Sequence, residues 1–335
     1  MKKKIITQKN IAEALGVTPV TVSKALRDSS DISPEMKERV KKMAEELAYH
    51  PNLLAKSLSS RRTHMIGAIV PEITTSFFAA VIEGFYDEGR KHGYEIILMI
   101  SHEKSENEAS NVSYLASLGV EGLVLSVTSE TNSRDFLSPF LKRDLPIVFY
   151  DRPIRCPKTS TVTIDDAGAA QRVVERLIEK GYRKIAFLGP TELPRIIKNR
   201  FLGYQAALKK HGLSFDKKRV IPCDFSKERA FQAMADVLQD NVDMDALFCA
   251  NDFVAMSAYR AITQAGLAVP DDIGLAGFGN MSETFFLPAP FITISQPAYE
   301  MGRKAVEVLI ENLEHKSENR KTSHIQLDTE LVERN

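Results

Sequence analysis

Residues 10–26 read NIAEALGVTPVTVSKAL, and this stretch predicts two short helices joined by a tight turn. The first helix, over 8–15, ends before Gly16, a residue type that tolerates the positive φ of a turn. Thr18 then stands at an N-cap position with Pro19 at the first helical position, a pairing that favours the start of a second helix. Two helices joined in this way form a helix-turn-helix.

The residues that follow predict a third helix and then a change of character. Ser33-Pro34 repeats the start signal, and apolar residues recur at helical spacing as far as Leu47. Residues 52–60 make about two further helical turns before a polar linker. We therefore expect a helix-turn-helix DNA-binding domain over 1–50 and a hinge helix with its linker over 51–63.

The charge of the chain is unevenly distributed. The formal net charge of the 335 residues is zero, yet residues 1–62 carry 13 Lys and Arg against 7 Asp and Glu. The remaining residues are acidic to the same extent. A basic head on an acidic body favours a polyanion as the partner of the head.

Length and composition indicate the number of domains and the cellular location. A chain of 335 residues is too long for one ordinary domain. No apolar run is long enough to span a bilayer, and the basic N-terminal residues lack the apolar stretch of a signal peptide, so we expect a cytoplasmic protein without membrane partners. The three cysteines, Cys156, Cys223 and Cys249, lie far apart and indicate reduced packing residues.

From Met65 onward, apolar strand-like runs alternate with amphipathic helical stretches. The pattern predicts strands over 66–70, 95–100, 122–125, 147–150, 184–188, 246–250 and 273–277. It predicts helices over 79–92, 106–118, 169–180, 201–211, 228–239, 253–264 and 299–314. Such alternation is typical of parallel sheets flanked by helices. Within 64–335 we expect two α/β lobes, one over about 64–162 plus 293–320 and one over about 163–292 plus the C-terminal tail.

Signatures of catalysis are absent from the sequence. No Gly-x-Gly-x-x-Gly or phosphate-binding Lys loop follows a predicted strand, and no Gly-x-Ser-x-Gly is present. The seven histidines lack the spacing of metal ligands. We therefore expect no enzyme, no metal and no cofactor. A two-lobed body alone would also suit a periplasmic binding protein, but the helix-turn-helix and the missing signal peptide favour a regulator.

The chain resembles the lac repressor/galactose repressor family of bacterial transcriptional regulators over nearly its whole length. Residues 10–26 carry the family's head signature, including Val22-Ser23, and Tyr49-His-Pro-Asn52 with Ala55 and Leu58 matches its hinge. Landmarks of the sensor domain follow in order: Ile66-Gly67, Gly122-Leu123, Asp151-Arg152, Arg200 with Gly203-Tyr204, Asn251-Asp252, Gly277-Phe278 and Gln296-Pro297. The resemblance implies an all-α helix-turn-helix head and a two-lobed α/β sensor domain like that of periplasmic binding proteins.

The resemblance implies a homodimer that binds two half-sites of a pseudo-palindromic operator in double-stranded DNA. Pro19, Val20 and Lys24 would face the bases from the major groove, where a lysine donates to guanine. Whether Pro19 contacts a base or only starts its helix stays open. Residues that would hold phosphates are Thr18, Thr21, Ser23 and Arg27.

The hinge is the second DNA-binding element that the resemblance implies. Tyr49, Asn52 and Ala55 would contact DNA there, and Leu58 would enter a base step of the minor groove. Residues 52–60 are too few for a stable isolated helix, so we expect the hinge to fold when two copies meet on DNA. The C-terminal tail lacks a leucine heptad, so a tetramer is not expected.

The resemblance also implies a small-molecule effector in the cleft between the lobes. The residues that would line this cleft are Phe77, Phe78, Thr128, Asp151, Arg152, Asp165, Arg200, Phe225, Asn251 and Phe253. Asp151, Arg200 and Asn251 would hydrogen-bond a hydroxylated ligand, while Phe78 and Phe225 would stack on its apolar face.

One position of the cleft departs from the family pattern. Many relatives carry an Asp that grips the ligand where this chain has Gly279, and Asn280 is the candidate substitute. We expect a sugar or a sugar derivative as the effector, with a nucleobase as the alternative that the Phe77-Phe78 pair supports. The sequence leaves open whether the effector releases the operator or promotes its binding.

Overall fold

The computed structural model describes residues 6–49, 62–190, 195–223, 226–282, 284, 287–315 and 319–334, without the side chains of 195–197. The chain forms two compact units, residues 1–63 and residues 64–335. Among the described residues, no helix combines the length and the apolar character that crossing a membrane requires.

The predicted helix-turn-helix is confirmed in the first unit. Its helices are α1 (Gln8–Leu15), α2 (Pro19–Leu26) and α3 (Pro34–Glu46). Gly16 closes α1 with a φ of 68°, and the Thr18 hydroxyl accepts a hydrogen bond of 3.2 Å from the Thr21 N–H at the start of α2. The three helices share a small core of buried residues, namely Ile11, Ala12, Val22, Ala25, Val40 and Ala44.

The first lobe of the second unit is built on a six-stranded parallel sheet. Its strands are β1 (Met65–Val70), β2 (Glu95–Ile100), β3 (Gly122–Leu125), β4 (Ile147–Tyr150), β5 (Ser160–Ile164) and β11 (His324–Leu327), in the order β11-β5-β4-β3-β1-β2. The flanking helices are α4 (Ser76–Lys91), α5 (Ser105–Leu118), α6 (Ser138–Leu141) and α11 (Ala298–Glu314). Successive residues of β4 pack into different apolar clusters, so both faces of the sheet are covered.

The second lobe repeats this plan with one difference. Its strands are β6 (Ile185–Leu188), β7 (Val220–Ile221), β8 (Ala246–Cys249), β9 (Gly274–Ala276), β10 (Phe291–Ser295) and β12 (Glu330–Arg334), in the order β12-β10-β9-β8-β6-β7. Its helices are α7 (Asp166–Glu179), α8 (Arg195–Lys210), α9 (Lys227–Gln239) and α10 (Asp252–Gln264). All strand pairs are parallel except β10 with β12.

The strand pairing places the lobe boundaries differently from the sequence expectation. The expected boundary assigns residues from 293 onward, and with them most of β10, to the first lobe, but β10 pairs with β9 and β12 in the second sheet. The C-terminal tail is expected in the second lobe, but its strand β11 pairs with β5 in the first sheet. By the pairing of the described strands, the chain therefore passes between the sheets three times, after β5, after β10 and between β11 and β12.

Two glycines bring helices α4 and α11 into backbone contact. A Cβ atom at Gly302 would lie 2.0 Å from the carbonyl oxygen of Val81, and one at Gly84 would lie 2.2 Å from that of Tyr299. No real Cβ contact is that short, so the two helices approach as they do only because both positions lack side chains. This contact fixes α11 on the first lobe.

Candidate functional site

Helix α2 presents the residues that sequence analysis assigned to DNA. Val22 and Ala25 are buried in the head core, which turns the other faces of the helix outward. Val20 is 64% exposed, and Pro19 and Thr18 beside it are exposed as well. The short apolar and hydroxyl side chains at the N-terminal end of α2 are therefore free to meet a partner surface.

Ion pairing and hydrogen bonding organise the polar side chains of this surface. Lys24 Nζ lies 2.7 Å from Asp31 Oδ2, and this contact lowers the pKa of the Asp31 carboxyl. The Arg27 guanidinium donates to Ser23 Oγ over 2.7 Å. Because the Lys24 side chain is half-buried and that of Asp31 is exposed, water screens the pair, and Lys24 can exchange its carboxylate partner for a base at modest cost.

Part of the predicted DNA surface lies elsewhere or beyond the described residues. Tyr49 is half-buried and packs against the head core, so its ring also stabilises the three-helix unit. The hinge positions Asn52, Ala55 and Leu58 lie outside the described residues.

A cavity of about 590 Å³ lies between the two lobes of the second unit. Asp151 stands directly after β4 and Asn251 follows β8, so the cavity occupies the carboxyl ends of strands in both sheets. This edge is where open α/β sheets bind ligands. The lining residues are Glu72, Thr74, Thr75, Phe77, Phe78, Glu103, Ser129, Asp151, Arg152, Arg200, Ser226, Lys227, Asn251, Phe253, Phe278, Gly279, Met281 and Gln296.

The structure brings most of the predicted cleft residues together. The lining includes Phe77, Phe78, Asp151, Arg152, Arg200, Asn251 and Phe253. Thr128, Asp165 and Asn280 do not belong to it, and Phe225 lies outside the described residues.

Asp151 and Arg152 form a buried charge network at the first-lobe wall. Arg152 Nη1 lies 2.6 Å from Glu103 Oε1, and Arg152 Nε lies 3.6 Å from Asp151 Oδ2. The second Glu103 oxygen accepts a hydrogen bond of 2.9 Å from the Ser129 N–H. Burial raises the pKa of the Asp151 carboxyl. The network places one guanidinium between two carboxylates on the cavity wall, so the charge of Arg152 is already paired.

Arg200 supplies the polar group of the second-lobe wall. Its Nε donates to Asp166 Oδ1 over 2.9 Å and its Nη1 donates to the Ala250 carbonyl over 2.8 Å. The guanidinium carbon lies 3.7 Å from the centroid of the Phe278 ring. Despite Arg200, burial raises the pKa of Asp166 to about 6. Arg200 is thus both a cavity residue and the counterion of a buried carboxylate.

Asp165 does not line the cleft as expected, and its neighbour Asp166 lies behind the wall as the partner of Arg200. Asp165 is exposed and caps α7, where its Oδ1 accepts a hydrogen bond of 2.9 Å from the Gly168 N–H. Asp166, one residue into the helix, is the carboxylate that faces Arg200. Consecutive residues at a helix start point in different directions, so the sequence pair Asp165-Asp166 did not reveal which member turns inward.

Asn251 combines a structural bond with an available donor. Its Oδ1 caps α10 by accepting a hydrogen bond of 2.9 Å from the Val254 N–H. Within the described part of the chain, its Nδ2 has no protein acceptor. The amide N–H groups of this cavity residue can therefore donate to a ligand.

Thr128 and Asn280 are expected in the cleft but serve the surrounding scaffold. The Thr128 N–H donates to the buried Glu108 carboxylate over 2.9 Å. Asn280 Nδ2 donates to Ser295 Oγ over 3.3 Å, and its Oδ1 accepts from Arg334. Asn280 therefore does not replace the family Asp, and Gly279 itself forms that part of the wall.

The two adjacent phenylalanines divide between the cavity and the core. Phe78 is only 3% exposed and belongs to the apolar core, so its expected stacking surface is small. Phe77 is half-buried and its ring meets that of Phe78 edge-on, at a centroid distance of 5.1 Å. The ring that offers apolar surface to a ligand is therefore Phe77.

Besides Gly279, which sequence analysis had already placed at the cleft, the described lining contains ten residues that sequence reasoning missed. Glu72, Glu103 and Ser129 follow the carboxyl ends of β1, β2 and β3. Because open α/β sheets bind ligands at that edge, their positions in the sequence could have identified them. Lys227, whose Nζ lies 5.0 Å from the Phe253 ring centroid, begins α9 and had no such signal. The others are Thr74, Thr75, Ser226, Phe278, Met281 and Gln296.

Comparison with known proteins accounts for both units. Residues 7–52 match "Bacterial regulatory proteins, lacI family", and residues 63–334 match "Periplasmic binding proteins and sugar binding domain of LacI family". The transcriptional repressor CytR of Escherichia coli is 30% identical over 92% of this chain and 90% of its own. The transcriptional repressor PurR of Haemophilus influenzae is 29% identical over 97% of both chains.

A solved structure agrees with these sequence relationships. The complex of the transcriptional regulator CelR with cellobiose has a TM-score of 0.73 and 27% identity, and the match covers 98% of both chains. The helix-turn-helix and the two-lobed sensor domain of the structure are the two units that the family models describe. The chain belongs to the lacI family of bacterial regulatory proteins, and it is a ligand-responsive DNA-binding transcriptional regulator.

Proposed function

We propose that the cleft binds an uncharged, hydroxyl-rich effector, a sugar or a sugar derivative, and that this binding changes operator affinity. The pairing of both cleft guanidinium groups with carboxylates carries the proposal. Arg152 is matched by Glu103 and Asp151, and Arg200 is matched by Asp166. Introducing an anion beside these carboxylates would cost free energy, whereas hydroxyl groups can both donate to the carboxylates and accept from the guanidinium groups.

The size and apolar surface of the cavity support the same ligand class. A volume of about 590 Å³ suits a mono- or disaccharide. Phe77 and Phe253 are half-buried and supply flat apolar surface for sugar C–H groups. The structure of the relative CelR was solved with cellobiose, which agrees with this choice.

The nucleobase alternative has weaker support. A base held between two rings needs roughly parallel faces, and Phe77 and Phe78 meet at an interplanar angle of 77°. Nucleobases therefore enter the ligand screen below as the competing outcome.

We predict that Asn251→Ser weakens effector binding by roughly ten- to a hundredfold, a cost of about 1–3 kcal/mol for an unmatched polar group. Serine retains the helix cap but lacks the amide donor. A thermal-shift screen of the full chain with neutral sugars, sugar phosphates and nucleobases would identify a ligand, and calorimetry would give the two affinities.

The matched control for this variant is Asn107→Ser, which removes an amide that donates to the Ser101 carbonyl outside the cavity. Its effector affinity should equal that of the unmodified protein. An unchanged affinity in Asn251→Ser would remove that amide from the site. A screen in which only sugar phosphates or only nucleobases bind would overturn the neutral-sugar proposal.

For the head, we propose that a homodimer binds a pseudo-palindromic operator, with one α2 helix in each half-site. The basic head and the exposed N-terminal end of α2 support this arrangement. The hinge residues 52–60 would complete the interface from the minor groove, with Leu58 as the inserted side chain. That part of the proposal rests on sequence, since these residues lie outside the described ones.

We predict that Lys24→Ala relaxes the preference for one base pair per half-site and costs about 1–3 kcal/mol on the preferred sequence. The physical reason is the loss of the donor that would leave Asp31 for a guanine. Selection from random duplexes followed by competition binding measures this preference. Lys42→Ala, which removes an exposed lysine of α3, should lower affinity evenly without changing the base preference. Full retention of base preference in Lys24→Ala would contradict the assignment.

A further inference from the structure

A second cavity, with a volume of about 560 Å³, lies in the first lobe. Ile147 and Ser160, the first residues of β4 and β5, line it. Because these strands are parallel, the second cavity lies at the opposite edge of the sheet from the effector cleft, which Asp151 lines just after β4. It is therefore a separate site, and we call it the amino-edge cavity.

Cationic side chains dominate the amino-edge cavity. Among the described residues, its lining contains four cationic residues, Arg134, Lys158, Arg320 and Lys321, against the single carboxylate of Asp144. Arg320 has a structural role, since its Nε donates to the Asn312 carbonyl over 2.9 Å and its Nη1 donates to the Asp144 carbonyl. Both acceptors are backbone groups, one near the end of α11 and one before β4.

The other three cationic side chains of the lining have no structural role of this kind. Across the described residues, no ion pair or hydrogen bond engages the side chains of Arg134, Lys158 or Lys321. Like charges around one concavity repel each other, and low-dielectric walls concentrate their field inside it. The arrangement of these side chains around one hollow therefore favours a multiply charged anion.

The depth of the cavity indicates the kind of anion. Its wall includes the buried polar residues Ser160 and Asn312, which are 2% and 8% exposed, beside the buried Ile147. The Asn312 amide donates to the Val308 carbonyl over 2.9 Å, and Ser160 Oγ accepts from the Ser323 N–H over 3.1 Å, so both groups hold the wall of the cavity in place. A duplex backbone would touch only the rim of such a hollow, whereas a small molecule can enter it. We propose that the amino-edge cavity binds a small molecule that carries two or more phosphate groups.

The location of the cavity suggests how its ligand would act. Lys321 and Thr322 line it and lead into β11. Strand β11 continues through Asp328-Thr329 into β12 of the second sheet, which is one of the three passages between the lobes. A ligand held by Arg320, Lys321 and Thr322 would thus restrain a segment that joins the lobes, independently of the effector cleft.

Calorimetric titration of the full chain with inorganic pyrophosphate at low ionic strength tests the proposal. We expect one site per chain, with affinity at least tenfold weaker in the double variant Lys158→Gln/Lys321→Gln. The matched control is Lys209→Gln/Lys217→Gln, which removes two exposed lysines of the second lobe that make no ion pair in the described structure and should leave the affinity unchanged. Circular dichroism of both double variants verifies that they are folded.

Each other result overturns the proposal. Equal pyrophosphate affinity in all three proteins would place the anion elsewhere, for example in the cleft, and an equal loss in both double variants would indicate nonspecific attraction. If the unmodified protein binds no pyrophosphate, the small-molecule site is absent. In that case, a reduced salt dependence of duplex binding in Lys158→Gln/Lys321→Gln alone would assign these lysines to the DNA backbone.

Discussion

Arg200→Ala is expected to abolish the effector response and to lower the free energy of unfolding of the sensor domain by about 3–5 kcal/mol. The binding loss follows because Arg200 lines the cleft. The stability loss follows because the buried Asp166 carboxylate would lose the guanidinium 2.9 Å away. Titration of the variant with the identified effector measures the first effect, and urea unfolding followed by circular dichroism measures the second.

A compensated variant separates the two roles of Arg200. Replacing both partners by apolar residues of similar size, as in Arg200→Met/Asp166→Leu, removes the uncompensated charge and should restore most of the stability. Effector affinity should remain lost. If the compensated variant recovers the effector, Arg200 is only a structural counterion; if Arg200→Ala unfolds like the unmodified protein, the buried pair does not stabilise the fold.

Gly302→Ala is expected to destabilise the second unit by about 3 kcal/mol or more, which is at the upper end for overpacking. The added methyl would lie 2.0 Å from the Val81 carbonyl oxygen, and both partners are helix backbone that cannot move aside alone. Helices α4 and α11 would have to separate, exposing part of the first-lobe core. Urea unfolding by circular dichroism is the suitable measurement, since the chain contains no tryptophan.

Gly212→Ala provides the control for this prediction. Gly212 has a φ of 67°, and a methyl group added there would meet no atom within 4 Å beyond its chain neighbours. Alanine at this position therefore costs only the backbone strain of about 1–2 kcal/mol. If the two alanine variants unfold at the same urea concentration, the close approach of α4 and α11 contributes nothing to stability.

The polar residues of the cleft contribute both to the stability of the fold and to ligand binding. Its polar groups are held by contacts that also maintain the scaffold: Arg200 by Asp166, and the Asn251 side chain by the start of α10. Such preorganisation reduces the free-energy cost of ordering the site when a ligand enters. It also means that a variant of these residues must be tested for folding before its effector affinity is interpreted.

The sequence by itself determined the features that depend on neighbouring residues. Gly16 and Thr18-Pro19 specify the turn and the start of α2 within a few positions, and the helices and strands of the sensor domain follow from local apolar periodicity. The ordered motifs placed Asp151 and Asn251 directly after predicted strands. Because open α/β sheets bind ligands at the carboxyl ends of their strands, both residues were expected in one cleft, and both line it.

Only the tertiary structure decided contacts between residues far apart in the chain. The sequence makes Asn280 a candidate ligand residue, yet its side chain is bonded to Arg334, 54 residues later. The sheet membership of β10 and β11 depends on strand partners that no local pattern specifies. Phe78 turns into the core, and Asp166 rather than Asp165 meets Arg200, because packing against other elements selects the direction of each side chain. Local sequence encodes the element, whereas long-range burial and pairing decide what its side chains touch.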